Sequence, residues 1–358
     1  MKVALCSSFV PFVNGGGRFI VEWLAAELMK HGHKTEIIWL PFVETPETMF
    51  RQMMAYRMIE LASSADKLIA FRPPAYVIPH PNKTLWFIHH FRKYYDMWES
   101  PDPPANTDSR TRAFRSRLIA ADSSAIGEAK RVFTNSRVVA DRLKRFNGID
   151  GEVLYPPIFQ PERFKAGPYG DDIVSVCRVE SHKRQELFIQ AMRFVKSGVK
   201  LRLCGLSHDG KYNAKLQRIV AKHGLQRKVK IEHRWISEEE KAAIVGGALA
   251  VAYAPIDEDS YGYPTLEGAL AERPVVGGRI VRRYRRYQFA RLLIARGQAD
   301  RANQRQPGQP DRDGERSLFQ RLAEGHWIRS KKAMPITQSC VQSCRSVAPR
   351  LPPSPILV

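Results

Sequence analysis

Short apolar runs alternate with amphipathic stretches along most of this chain. Residues 3–7 form an apolar run of strand length. Residues 19–29 then repeat apolar positions at helical spacing, through Phe19, Ile20, Trp23, Leu24 and Leu28. A short continuous apolar run followed by a 3.6-period stretch predicts a buried parallel strand and the helix that covers it. Gly32, within His31-Gly32-His33, is placed to end that helix in the left-handed conformation. The alternation continues with predicted strands over 34–40, 67–71, 84–89, 131–135 and 151–155, and helices over 46–62, 110–129 and 136–146.

Residues 156–169 break the pattern with prolines and glycines and read as an interdomain connector. A second series follows, with strands over 173–177, 200–204, 229–232, 248–254 and 274–276. Helices near 185–196, 211–223 and 237–245 lie between them. This predicts an α/β protein of two Rossmann-like domains facing each other across a cleft, over 1–160 and 161–276. After residue 276 the alternation stops. Residues 277–358 are aperiodic and Arg-rich, so the second domain reads as incomplete and followed by an irregular basic tail. A mid-domain change of this kind points to a reading-frame shift ahead of an evolved extension.

Charge sharpens that division. The tail holds 15 Arg and 2 Lys against 3 Asp and 2 Glu, a net of +12 out of the chain's +21. The five cysteines (Cys6, Cys177, Cys204, Cys340 and Cys344) form no Cys-x-x-Cys pair, which predicts a reduced chain. The amino terminus reads as a strand rather than a secretion signal, and no apolar stretch approaches the roughly 20 residues of a membrane span. A cytoplasmic protein, peripheral to the inner membrane face, is expected.

Candidate chemistry concentrates where predicted strands end. Asp259 and Glu267 flank Tyr261-Gly262-Tyr263-Pro264 after the apolar run 248–254. Pro264 suits a first helical turn, and the free amides of such a turn attract anions. A phosphate on those amides, with carboxylates accepting from hydroxyls on either side, describes a nucleotide-sugar. Arg178 and Lys183 follow the predicted strand 173–177, where two cations can neutralise charge on a departing diphosphate. His89 stands at a third strand end. Gly15, Gly16 and Gly17 form a loop able to approach a phosphate or an acceptor. That loop is not G-x-G-x-x-G and no acid closes the second strand, which argues against dinucleotide binding. No Asp-x-Asp stands apart from the acid motif as a metal clamp, so neither metal nor cofactor is expected.

Together these motifs resemble family 4 (group 1) retaining glycosyltransferases of GT-B architecture, over about residues 1–276. The family's Glu-x7-Glu appears as Asp259 and Glu267, with aspartate in the first place. Its phosphate-binding Arg and Lys match Arg178 and Lys183 in VSVCRVESHKRQELFIQAM. Residues 134–146 with 153–158, and 86–98, resemble segments of its first domain. The resemblance implies metal-independent transfer, with retention, from a nucleotide-sugar to a hydroxyl acceptor such as a glycan or lipid-linked group. Under it Glu267 holds the donor ribose, Asp259 the transferred sugar or its phosphate, and His89 contacts that sugar. Gly262 and Tyr263 complete the donor-binding set. Two alternatives are an inactive, truncated relative and an anion binder acting through the basic tail on nucleic acid or membrane. The tail carries no reader motif for nucleic acid.

Overall fold

The computed structural model describes residues 1–9, 16–98, 108–207, 210–256 and 261–277. The chain divides into two units between Phe159 and Gln160. In the first, β1 (Lys2–Phe9), α1 (Gly16–Lys30), β2 (Lys34–Pro41), α2 (Pro46–Arg57), β3 (Lys67–Ala70) and β4 (Lys83–Phe87) are followed by α3 (Ser109–Gly127), β5 (Arg131–Thr134), α4 (Arg137–Asn147) and β6 (Glu152–Val153). The strands pair in parallel, in the order β2-β1-β3-β4-β5-β6.

Strand alternation splits the core of this unit into two layers. Val3, Leu5, Ile69, Phe71 and Trp86 pack with Ile20, Val21, Leu24 and Leu28 of α1. Ala4, Cys6, Leu68, Leu85 and Phe87 belong to the opposite layer, with Met49 and Met53 of α2, Leu118 of α3 and Leu143 of α4. Helix ends follow local chemistry. Ser136 caps α4 by accepting from Val139 N, and Gly148 closes it at φ 70°. Helix α2 stops at Arg57, short of the predicted residue 62. There the Glu60 carboxylate takes the amides of Ala62 and Ser63, a turn that competes with helical bonding.

The second unit contains β7 (Asp172–Val176), α5 (Gln185–Ala191), β8 (Lys200–Cys204), α6 (Gly210–Lys222), β9 (Val229–Glu232), α7 (Glu238–Gly246), β10 (Ala250–Ala252), α8 (Tyr263–Leu270) and β11 (Val275–Val276). Its parallel sheet has the order β9-β8-β7-β10-β11. Phe188 and Ile189 of α5 and Leu216 and Val220 of α6 pack with Ile173, Leu201, Leu203 and Ala252. β10 is shorter than the predicted 248–254, yet Leu249 N donates to Asp172 O and Tyr253 N to Val276 O, extending the ladder past both ends. The basic tail, its reading-frame interpretation and any closing elements of this domain lie outside the described residues.

Candidate donor site

Strand order in the second unit reverses between β7 and β10: β8 and β9 lie on one side and β11 on the other. In open parallel sheets, ligands bind outside the carboxyl ends of the strands at such a switch point. The loops leaving these two strands carry Arg178, Lys183 and Gly262, and the second leads into α8, which carries Tyr263 and Glu267. Sequence distance separates the two groups by about eighty residues, and parallel pairing of β7 with β10 makes their loops neighbours.

Within the β7–α5 loop the two cations differ. The Arg178 side chain is 54% exposed and its guanidinium donates to Glu180 Oε1 at 3.0 Å. Lys183 is buried, its Nζ donating to the Tyr253 hydroxyl at 2.9 Å and lying 5.2 Å from that ring's centre. Tyr253 is the first residue after β10, so this bond joins the two switch-point loops. Gln185 Nε2 donates to Arg178 O at 2.9 Å and fixes the backbone between the cations.

Gly262 caps α8 at φ 78°, a left-handed conformation that a Cβ would strain. Pro264 sits in the first turn, where no N–H is needed. The Tyr263 hydroxyl is buried with no hydrogen-bond partner among the described residues, and burial holds its pKa well above the ordinary tyrosine value. Glu267 is buried on α8 and its Oε1 accepts from Lys241 Nζ at 2.7 Å. Burial pushes the Glu267 carboxyl upward and the lysine opposes that shift. Lys241 also pairs with Glu238 at 2.7 Å on its own helix, α7. Sequence reading missed Lys241 and Tyr253. A signal for Lys241 exists in hindsight: it shares the apolar side of α7 with Ala242, Ile244 and Val245, an expensive place for an unpaired ammonium.

In the first unit His89 follows β4, partly buried, with Nδ1 2.7 Å from His90 O. His90 is buried, its Nε2 2.8 Å from Asn147 Oδ1, and burial lowers its pKa to about 4. The expected glycine loop is corrected in part. Gly16 and Gly17 are the first two residues of α1, and Gly17 faces the aliphatic part of Arg72. Gly15 and Asp259 lie outside the described residues. Among those described, no group of three or more His, Cys, Asp or Glu is placed to hold a metal ion, and no helix is long and apolar enough to cross a membrane.

Residues 159–289 match the family model of group 1 glycosyl transferases. No curated protein sequence matches the chain. Among solved structures, HepE of Anabaena in complex with UDP and glucose is similar over 96% of this chain and 99% of its own, with a TM-score of 0.64 and 13% identity. WaaG, a glycosyltransferase involved in lipopolysaccharide biosynthesis, is similar over 77% of this chain and 80% of its own, with a TM-score of 0.54 and 14% identity. A glycosyltransferase from Rickettsia africae is similar over 77% and 79%, with a TM-score of 0.50 and 16% identity. At these identities the likeness establishes the fold.

Proposed function

We propose that this chain, a group 1 glycosyltransferase of GT-B fold, moves a sugar from a nucleotide-sugar to a hydroxyl acceptor with retention and without a metal. The observation that carries the reading is the meeting of the Lys183 loop and the Tyr253 loop at the switch point of the second sheet. In this reading Lys183 and Arg178 neutralise the departing nucleoside diphosphate, helped by the amides at the start of α8. The bond from the anomeric carbon to the phosphate oxygen breaks and its electrons leave with the diphosphate. The acceptor oxygen bonds to the same face of the sugar, and its proton passes to the departing phosphate. Glu267, paired with Lys241, accepts from ribose hydroxyls, Asp259 serves the transferred sugar, and His89 contacts that sugar. The first unit receives the acceptor, a glycan or lipid-linked hydroxyl at the cytoplasmic membrane face.

The HepE structure contains UDP and glucose, so UDP-glucose is the first donor to try. A hydrolysis screen over several nucleotide-sugars, with and without EDTA, tests donor use and metal independence. The anomeric configuration of the product tests retention, and an inverted product rejects that mechanism. The family match and the fold do not favour an inactive relative or a tail-driven anion binder.

A further inference from the structure

Arg184 adjoins Lys183 and reads in sequence as a second cation of a solvated loop. Its geometry assigns it other work. Nε donates to Ala254 O at 2.7 Å and a terminal nitrogen donates to Pro255 O at 2.9 Å. Close by, Ile256 N donates to His182 O at 2.7 Å. Residues 182–184 of the β7–α5 loop are thus bonded to residues 254–256 of the β10–α8 loop by three hydrogen bonds. The Lys183–Tyr253 bond lies beside them. The Arg184 backbone stands at φ 55° and ψ 38°, in the left-handed region that a residue with a long side chain seldom adopts. Such conformations persist where surrounding bonds fix them, and they gather at functional sites.

We propose that Arg184 is a positioning residue, a clamp that locks the two switch-point loops together and so sets where the Lys183 ammonium stands. The inference rests on reading Lys183 as the cation that meets the donor diphosphate. The guanidinium suits this task because its planar fork reaches two carbonyls at once, from one side chain of fixed shape. A lysine at the same place supplies charge without the fork. Fixing the cation before the donor arrives removes a reorganisation step from the moment of bond cleavage.

Arg184→Gly removes the fork and relieves the left-handed backbone. Arg184→Asn also tolerates that backbone without adding glycine's freedom. Arg184→Lys keeps the charge. The readouts are amide exchange at Tyr253, Ala254 and Ile256 and in β8 and β9, thermal melting, and kcat and KM for UDP-glucose cleavage. With the clamp removed, both Gly and Asn variants melt near wild type and raise exchange at Tyr253, Ala254 and Ile256 about tenfold, leaving β8 and β9 unchanged. Both lower kcat by about tenfold or more with a smaller change in KM. Arg184→Lys fails to restore either property, whereas millimolar guanidinium partly restores kcat to Arg184→Gly. Unchanged exchange in both the Gly and Asn variants overturns the clamp, and so does a fully active Arg184→Lys protein. A wild-type protein that neither binds UDP nor cleaves any nucleotide-sugar overturns the donor-site reading instead, while the exchange result decides the clamp by itself.

Discussion

Lys241 on α7 and Glu267 on α8 are bound at 2.7 Å with both side chains largely withdrawn from water. Removing one partner of such a pair strands the other charge, which costs about 3–5 kcal/mol. Lys241→Met is therefore expected to lower unfolding free energy in urea by about that amount at neutral pH. The sign with pH follows from Glu267, whose folded carboxyl is already raised from 4.5 by burial. Without the lysine it rises further, so the deficit grows as pH climbs through the folded value and shrinks as pH falls towards 4.5 and below, where the unfolded carboxyl is protonated too. Lys241→Met combined with Glu267→Gln should lose less than the sum of the single losses.

Lys183→Ala removes the buried ammonium of the switch-point loop. Loss of one preorganised charge-stabilising group lowers kcat by about 10²–10³. Tyr253→Phe removes only its hydroxyl partner, a bond of about 1 kcal/mol net, for an effect of about fivefold. Steady-state cleavage of whichever nucleotide-sugar the donor screen identifies measures both. A Lys183→Ala protein with near-normal kcat/KM takes Lys183 out of the donor site.

The alternation of strand and helix was readable because strands show either a short apolar run or a strict period-two alternation, the latter in Lys-Leu-Arg-Leu-Cys at 200–204 and Val-Lys-Ile-Glu at 229–232, whose predicted bounds are the observed ones. Ser136 and Gly32 were readable because a cap and a left-handed exit each demand a narrow residue set. Gly16 and Gly17 were not: glycine's low helix propensity favours a loop, and here the helix starts on them regardless. Lys241, Tyr253 and Arg184 escaped for a common reason. Each acts on a residue far away in sequence, and strand order brings the partners together. No local pattern records that Lys183 meets a residue seventy positions on.

Asp122 is wholly buried on α3, where Tyr95 donates to its Oδ2 at 2.6 Å. Burial raises its pKa from 3.8 to about 7. A raised carboxyl pKa stabilises the folded state below the unfolded value, and that contribution is lost as pH climbs from about 4 to about 7. Asp122→Asn should flatten this part of the stability profile. Urea midpoints at pH 5 and pH 8 are then closer together in the variant than in wild type, and the variant gains relative to wild type at pH 8.

Glu232, at the end of β9, shows the opposite sign. Bonds from Arg202 at 2.6 Å, Lys230 at 3.0 Å and Arg234 at 2.9 Å hold its pKa down at about 2. Its stabilisation is complete above the unfolded value of 4.5 and is lost as pH falls towards about 2. Glu232→Gln should be less stable than wild type at neutral pH, and the gap should close under acid. A pH-resolved melting series on the two proteins checks this.

Gly205 and Gly277 follow β8 and β11, at φ 149° and 152°. A Cβ on the first would overlap Cys177 O, and one on the second would overlap Tyr253 O. Both positions admit glycine alone for reasons of space. In a saturation library scored by abundance and by turnover, these two sites therefore serve as internal standards. They mark the score of a chain that cannot close its second sheet, and a position such as Lys183 can be weighed as chemistry only where abundance stays clear of that mark.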